Sequence, residues 1–123
     1  MGTTLLVLAA LISLGGAIFH SYVGGKIYMG NVKGSNLLPL TQSLSLISWQ
    51  MFTVFLVTSG VTLLCVAMNP DLALLSYPVL LGNGMGAALF LWIGLTGHAA
   101  LFKLPGMYLM LLTAVLGWLG LPS

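Results

Sequence analysis

The sequence predicts an all-α protein, a four-span antiparallel transmembrane helix bundle with both termini outside, and three observations carry that expectation. Of 123 residues, 59% are hydrophobic and 3% charged, with a mean hydropathy of +1.14; a chain so apolar has too little polar surface to cover a soluble globule. Four apolar stretches of roughly span length follow one another, separated by short segments rich in turn residues. The fixed charges are sorted between those segments: Lys26, Lys33 and Lys103 fall in the first and third, Asp71 in the second. Lysine is retained on the cytoplasmic side during insertion, so this sorting sets an orientation.

A single integral membrane domain is therefore expected over residues 1–123, with spans at about 4–27, 44–68, 74–96 and 106–121. The first stretch opens Met1-Gly2-Thr3-Thr4 with no basic residue ahead of it, and its apolar run exceeds a signal-peptide core. It reads as a retained helix entering from outside. The connection from Asn31 to Thr41 holds Gly34, Ser35, Asn36 and Pro39, a dense set of helix breakers. Asn69-Pro70-Asp71 and Lys103-Leu104-Pro105-Gly106 are compact turns, with Pro105 suited to open the last helix. Short turns imply that consecutive spans are antiparallel neighbours. With the lysines inside, both termini are expected on the periplasmic side of a bacterial inner membrane. Tyr28 and Tyr108 then fall at the inner boundary and Tyr77 and Trp118 near the outer one, at the level amphipathic rings prefer.

Packing signals are dense. Ala9, Ser13, Gly16, His20 and Gly24 share one narrow stripe of the first span, and Gly82 and Gly86 lie one turn apart on the third. Ser13, Gly16, Gly24, Gly82 and Gly86 are expected to be helix-packing positions, because small residues let backbones approach closely in lipid.

Several function classes are excluded by what the chain lacks. Three lysines without an arginine make no polybasic surface, so nucleic acid is not an expected partner. Cys65 is alone, so there is no intrachain disulfide and no paired-cysteine metal site. Ser21, Ser48 and Ser59 have no nearby acid to orient a histidine, and Asp71 falls on the opposite side from His20. No catalytic residue and no metal ligand set is expected, and the chain does not read as an enzyme.

His20 is the one ionisable residue well inside a span, six residues and so ~9 Å before Lys26. Gln50 comes at comparable depth on the second span, with Trp49 beside it and Thr53 further on, and His20 is expected to face Gln50. The plain role is a polar lock between two helices. A sharper role makes His20, Gln50 and Trp49 cofactor-binding residues. Gly16, one turn before His20, offers the small surface on which a tetrapyrrole lies while its metal takes an imidazole nitrogen. His98 lies too near the inner surface to be a second ligand of the same iron. Asn83, within Gly82-Asn83-Gly84-Met85-Gly86, marks either a glycine-rich contact surface or an unwound segment lining a transport site, and the contact surface is the simpler expectation. The absence of any buried acid weighs against proton-coupled export.

His20-Ser21-Tyr22-Val23-Gly24-Gly25-Lys26 on the first helix, with Trp49-Gln50 on the second, resembles a group of uncharacterised small bacterial four-helix membrane proteins. Those carry a His-Ser-x-x-Gly-Glu segment and a Trp-His pair at the corresponding places. Here Gly25 stands in the place of the Glu and Gln50 in the place of the His. The resemblance implies a fold and a bacterial membrane, and no activity.

The expected function is that of a small non-catalytic integral membrane subunit that packs against a larger membrane complex of photosynthetic or respiratory type, with the lipid bilayer and that complex as partners and no cofactor. Two alternatives remain open: a small transporter or channel using the His20, Gln50 and Asn83 region, and a haem-, chlorophyll- or quinone-binding anchor through His20.

Overall fold

A computed structural model describes all 123 residues and shows an all-helical chain without strands. The first helix, α1, runs Gly2–Lys33, α-helical over Gly2–Phe19, π-wound over His20–Met29 and α-helical again over Gly30–Lys33. The second, α2, runs Pro39–Met68. A 3₁₀ turn over Pro70–Leu75 leads into α3, Ser76–Leu95. A second 3₁₀ turn over Ala99–Lys103 precedes α4, Gly106–Gly120. The stretches Gly2–Lys33, Pro39–Met68 and Pro70–Leu95 are long and apolar enough to cross a membrane, whereas α4 is a shorter apolar helix of 15 residues.

Local chemistry sets the ends. The first connection is narrower than the Asn31 to Thr41 breaker run suggests, because α1 continues to Lys33 and α2 already starts at Pro39. Proline has no N–H to lose at the first helical position, and Leu38 before it is extended. The Gln42 amide donates to the Leu37 carbonyl at 3.1 Å, which ties this turn to the first coil of α2. At the next turn the Asn69 side chain accepts from the Asp71 N–H at 3.2 Å, the side-chain turn that Asn-Pro-Asp favours. Gly97, at φ +118°, takes the chain out of α3 through a conformation open mainly to glycine.

Glycine supplies the closest helix contacts. A β-carbon at Gly60 on α2 would overlap Leu14 of α1, one at Gly117 on α4 would overlap Leu80 of α3, and one at Gly86 would overlap Met110. One at Gly16 would meet Leu109 of α4 at 3.5 Å, and one at Gly82 would meet Phe55 of α2 at 3.0 Å. At the far end, a β-carbon on Gly120 would come within 2.8 Å of the Gly2 carbonyl. The apolar centre is built from Leu6, Ala10, Leu63, Val66, Val79 and Leu80. Through it runs a buried polar layer with one residue from each helix: Ser13, Ser59, Asn83 and Thr113, each at most 1% exposed. The Ser13 hydroxyl donates to the Leu56 carbonyl of α2 at 2.8 Å, and the Asn83 amide donates to Ser59 at 3.1 Å. Outward lie large apolar residues such as Ile18, Ile47, Leu81, Trp92 and Leu119.

The shortness of α4 leaves a space at one end of the bundle. Its stretch from Leu109 to Gly120 matches α1 only from Gly16 back to Gly2, so the π-wound turns beyond His20 have α2 beside them and no fourth helix. Leu104, Pro105 and Gly106 bend across the opening instead.

Candidate functional site

The site is centred on His20, where α1 changes from α to π winding. π-wound segments are rare and are frequent at functional sites. The widened turn carries Gly24, and a β-carbon there would lie 2.6 Å from the Trp49 ring, so only glycine admits the indole. The Trp49 N–H then donates to the His20 carbonyl at 3.1 Å. Its ring stacks on the His20 imidazole with centroids 4.1 Å apart and planes 11° from parallel, while Phe52 meets the same imidazole edge-on at 4.9 Å. Tyr28 closes the far side of Trp49 at 5.5 Å.

His20 does not pair with Gln50. Its Nδ1 shares a 2.8 Å hydrogen bond with the Thr53 hydroxyl, and no hydrogen bond joins it to Gln50. The reason is helical phase: Trp49 and Thr53, four residues apart, share the face of α2 turned to α1, whereas Gln50 is rotated by about 100° from Trp49. Of the three residues singled out for cofactor binding, the structure thus brings together His20 and Trp49 and leaves Gln50 half-buried to one side. The four-residue spacing puts Thr53 on the same face of α2 as Trp49, but nothing in the sequence chose that face over the one bearing Gln50, and Phe52 and Lys103 carried no signal.

A cavity of about 600 Å³ opens beside this cluster. His20, Gly24, Trp49 and Phe52 form one wall, Phe90 and Leu109 face them, and Lys103 lies at the edge. Gly16 lines it too, and a β-carbon there would be in ordinary contact with the Leu109 side chain at 3.5 Å. His98 is exposed, caps the 3₁₀ turn and takes no part in the lining. A second cavity, of about 680 Å³, lies at the other end, where Gly2, Pro70 and Gly120–Ser123 meet.

Asn83 sits elsewhere and is fully buried. The helix is unbroken through Gly82–Gly86, so there is no unwound segment here. Its amide donates to the Ser59 hydroxyl and to the Val79 carbonyl at 2.9 Å, while its Oδ1 has no partner. The amide is therefore satisfied at its nitrogen and not at its oxygen. Ser13, Gly16, Gly24, Gly82 and Gly86 all lie against a neighbouring helix. No group of three or more His, Cys, Asp and Glu side chains comes together anywhere in the chain.

No protein family, curated protein or solved structure matches the chain.

Proposed function

We propose that this chain is a four-span antiparallel bundle of a bacterial inner membrane, with both termini periplasmic and Lys26, Lys33 and Lys103 cytoplasmic, acting as a small non-catalytic subunit that docks laterally on a larger membrane complex. Antiparallel order is supported by the ends that meet: Gly2 lies against Gly120, and Pro70 lines the same end cavity, while His20 and Lys103 line the other. The fourth span is short, roughly 22 Å against a hydrocarbon core of about 30 Å. Leu104 and Leu121 flank it, and local thinning or tilt accommodates the remainder.

The observation that carries the subunit reading is how the intramembrane polar groups are used. Ser13, Ser59, Thr53, Trp49 and Thr113 are each engaged in a hydrogen bond that holds a helix or a helix pair. That leaves packing as the chain's main work. Most glycines are filled by neighbours inside the chain, which narrows the surface available to a partner. A methyl group on Gly84 would meet nothing within 4 Å, and Ala88 one turn on and Trp92 beyond it are exposed on the same face of α3. A small-x-x-x-small pair on an outward face is the surface by which helices associate in lipid. The kinship with the uncharacterised four-helix group, carried by the His20 to Lys26 segment and Trp49, belongs to this proposal as well.

The test is mild extraction from native membranes followed by size separation and identification of what travels with the chain. Comigration with a larger complex, lost on Gly84→Leu, is the expected result. Migration alone at several detergent strengths overturns the subunit reading.

A further inference from the structure

The wall of the cavity beside His20 has a chemistry of its own. Five aromatic side chains line it, Phe19, Tyr28, Trp49, Phe52 and Phe90. Flat π-faces favour a flat π-partner, which stacks or meets them edge-on with ring centroids about 4.5–7 Å apart. The polar lining consists of His20, Lys103, the Tyr28, Ser45 and Ser48 hydroxyls and the buried Ser13 and Thr113, and no carboxylate is present. Ser13, Ser45 and Thr113 already donate to the Leu56, Thr41 and Leu109 carbonyls, so the donors left for a ligand are His20, Lys103, Tyr28 and Ser48, and without a carboxylate the wall has no ion-pair partner for a cation. Within it, His20 has Nδ1 taken by Thr53, while Nε2 has no partner and is not sealed in the interior. Away from His20 and Lys103 the lining is Ile12, Leu56, Leu109 and Met110, and the Ser13 and Thr113 hydroxyls among them are spent on the Leu56 and Leu109 carbonyls. The volume, about 600 Å³, falls within the range of small-molecule sites.

We infer that this cavity binds a quinone, a flat uncharged ring bearing carbonyl acceptors, with its apolar tail among Leu56, Leu109 and Met110 and one carbonyl accepting from His20 Nε2. An alkyl carboxylate would pair with Lys103 but would leave the aromatic wall and His20 without a purpose. A tetrapyrrole would instead take His20 Nε2 as an axial ligand. The proposal is independent of lateral docking: a chain that migrates alone and still binds quinone refutes only the subunit reading.

The experiment uses the full chain in mild detergent with Trp92→Phe and Trp118→Phe, so that Trp49 is the sole indole. A decyl-substituted benzoquinone is titrated against its fluorescence. Saturable quenching is expected, weakened about tenfold by His20→Leu, as for the loss of one hydrogen bond in a dry site. Val23→Phe, at a half-exposed position of the lining, adds bulk without a second indole and should weaken binding equally while His20 and the melting temperature stay as they were. It decides the matter if the His20 variant does not fold. Absent saturation, an affinity unchanged in both variants, displacement by decanoate at equal concentration, or a haem spectrum that shifts on binding and excludes the quinone each overturns the inference.

Discussion

The indole of Trp49 lies flat on the imidazole of His20, 4.1 Å between centroids, and donates to the carbonyl of the same residue at 3.1 Å. One side chain of α2 thereby fixes both the ring and the backbone of His20 at the point where α1 becomes π-wound.

Trp49→Phe keeps an aromatic ring over His20 and removes the donor. It should lower stability by about 1 kcal/mol, the scale of polar contacts between membrane helices. Trp49→Ala should cost more, since it also empties the space beside Gly24. Unfolding by graded addition of a denaturing detergent measures both, and equal losses for the two variants would show that the hydrogen bond contributes all of the effect.

The glycines divide into filled and open ones, and substitutions should divide with them. Gly117→Ala places a methyl on the Leu80 side chain inside the α3–α4 contact, and overpacking of this kind costs about 1–3 kcal/mol. Gly84→Ala meets nothing within 4 Å and removes a poor helix former, so it should be neutral or stabilising by up to about 1 kcal/mol. Melting temperatures in one detergent compare them directly; a loss at Gly84 matching that at Gly117 would contradict the packing described.

Much of this arrangement was legible in the sequence. The small-residue stripe from Ala9 to Gly24 named the face of α1 that packs, because close approach in lipid requires small side chains and their spacing is visible in the chain. The partner of His20 was not. Choosing between Gln50 and Thr53 depends on the rotation of α2 about its axis, which hydropathy does not fix in a helix apolar nearly all round. The cavity was hidden for a different reason. It follows from the register of α4, whose fourth residue, Leu109, already lies beside Gly16, so that the helix stops short of Ile27; Gly97, the 3₁₀ turn and Pro105 set that register.

Asn83 presents an amide with one unpaired oxygen in a fully buried place. Replacing it by Leu removes that oxygen along with the bond to Ser59. The loss of a hydrogen bond, about 1 kcal/mol, is offset by release of the unsatisfied acceptor, so Asn83→Leu should change stability by less than about 1 kcal/mol. Ser59→Ala, which takes a partner from the amide and leaves Asn83 in place, should be the worse variant. A ranking in the opposite order, read from the same detergent unfolding, would mean that Oδ1 is satisfied in the membrane.

Orientation rests on four side chains, which makes it unusually easy to challenge. Lys26 and Lys33 lie at the end of α1 before the first connection and Lys103 in the third, with Asp71 alone in the second. Each lysine is exposed, and none is diverted into an internal ion pair that would hide it from the insertion machinery. Because basic residues near span ends set the direction of insertion, a periplasm-dependent reporter fused after Ser123 should be active and a cytoplasm-dependent one silent. The charges should also be sufficient causes. Lys26→Gln, Lys33→Gln and Lys103→Gln together, with Asp71→Lys and Asn69→Lys in the second connection, move the positive bias to the other side, and the reporter at Ser123 should then report from the cytoplasm in a substantial share of molecules. A cytoplasmic signal from the unaltered chain would invert the proposed topology, and a reporter indifferent to the charge exchange would show that span length and hydrophobicity, not lysine, direct this protein into the bilayer.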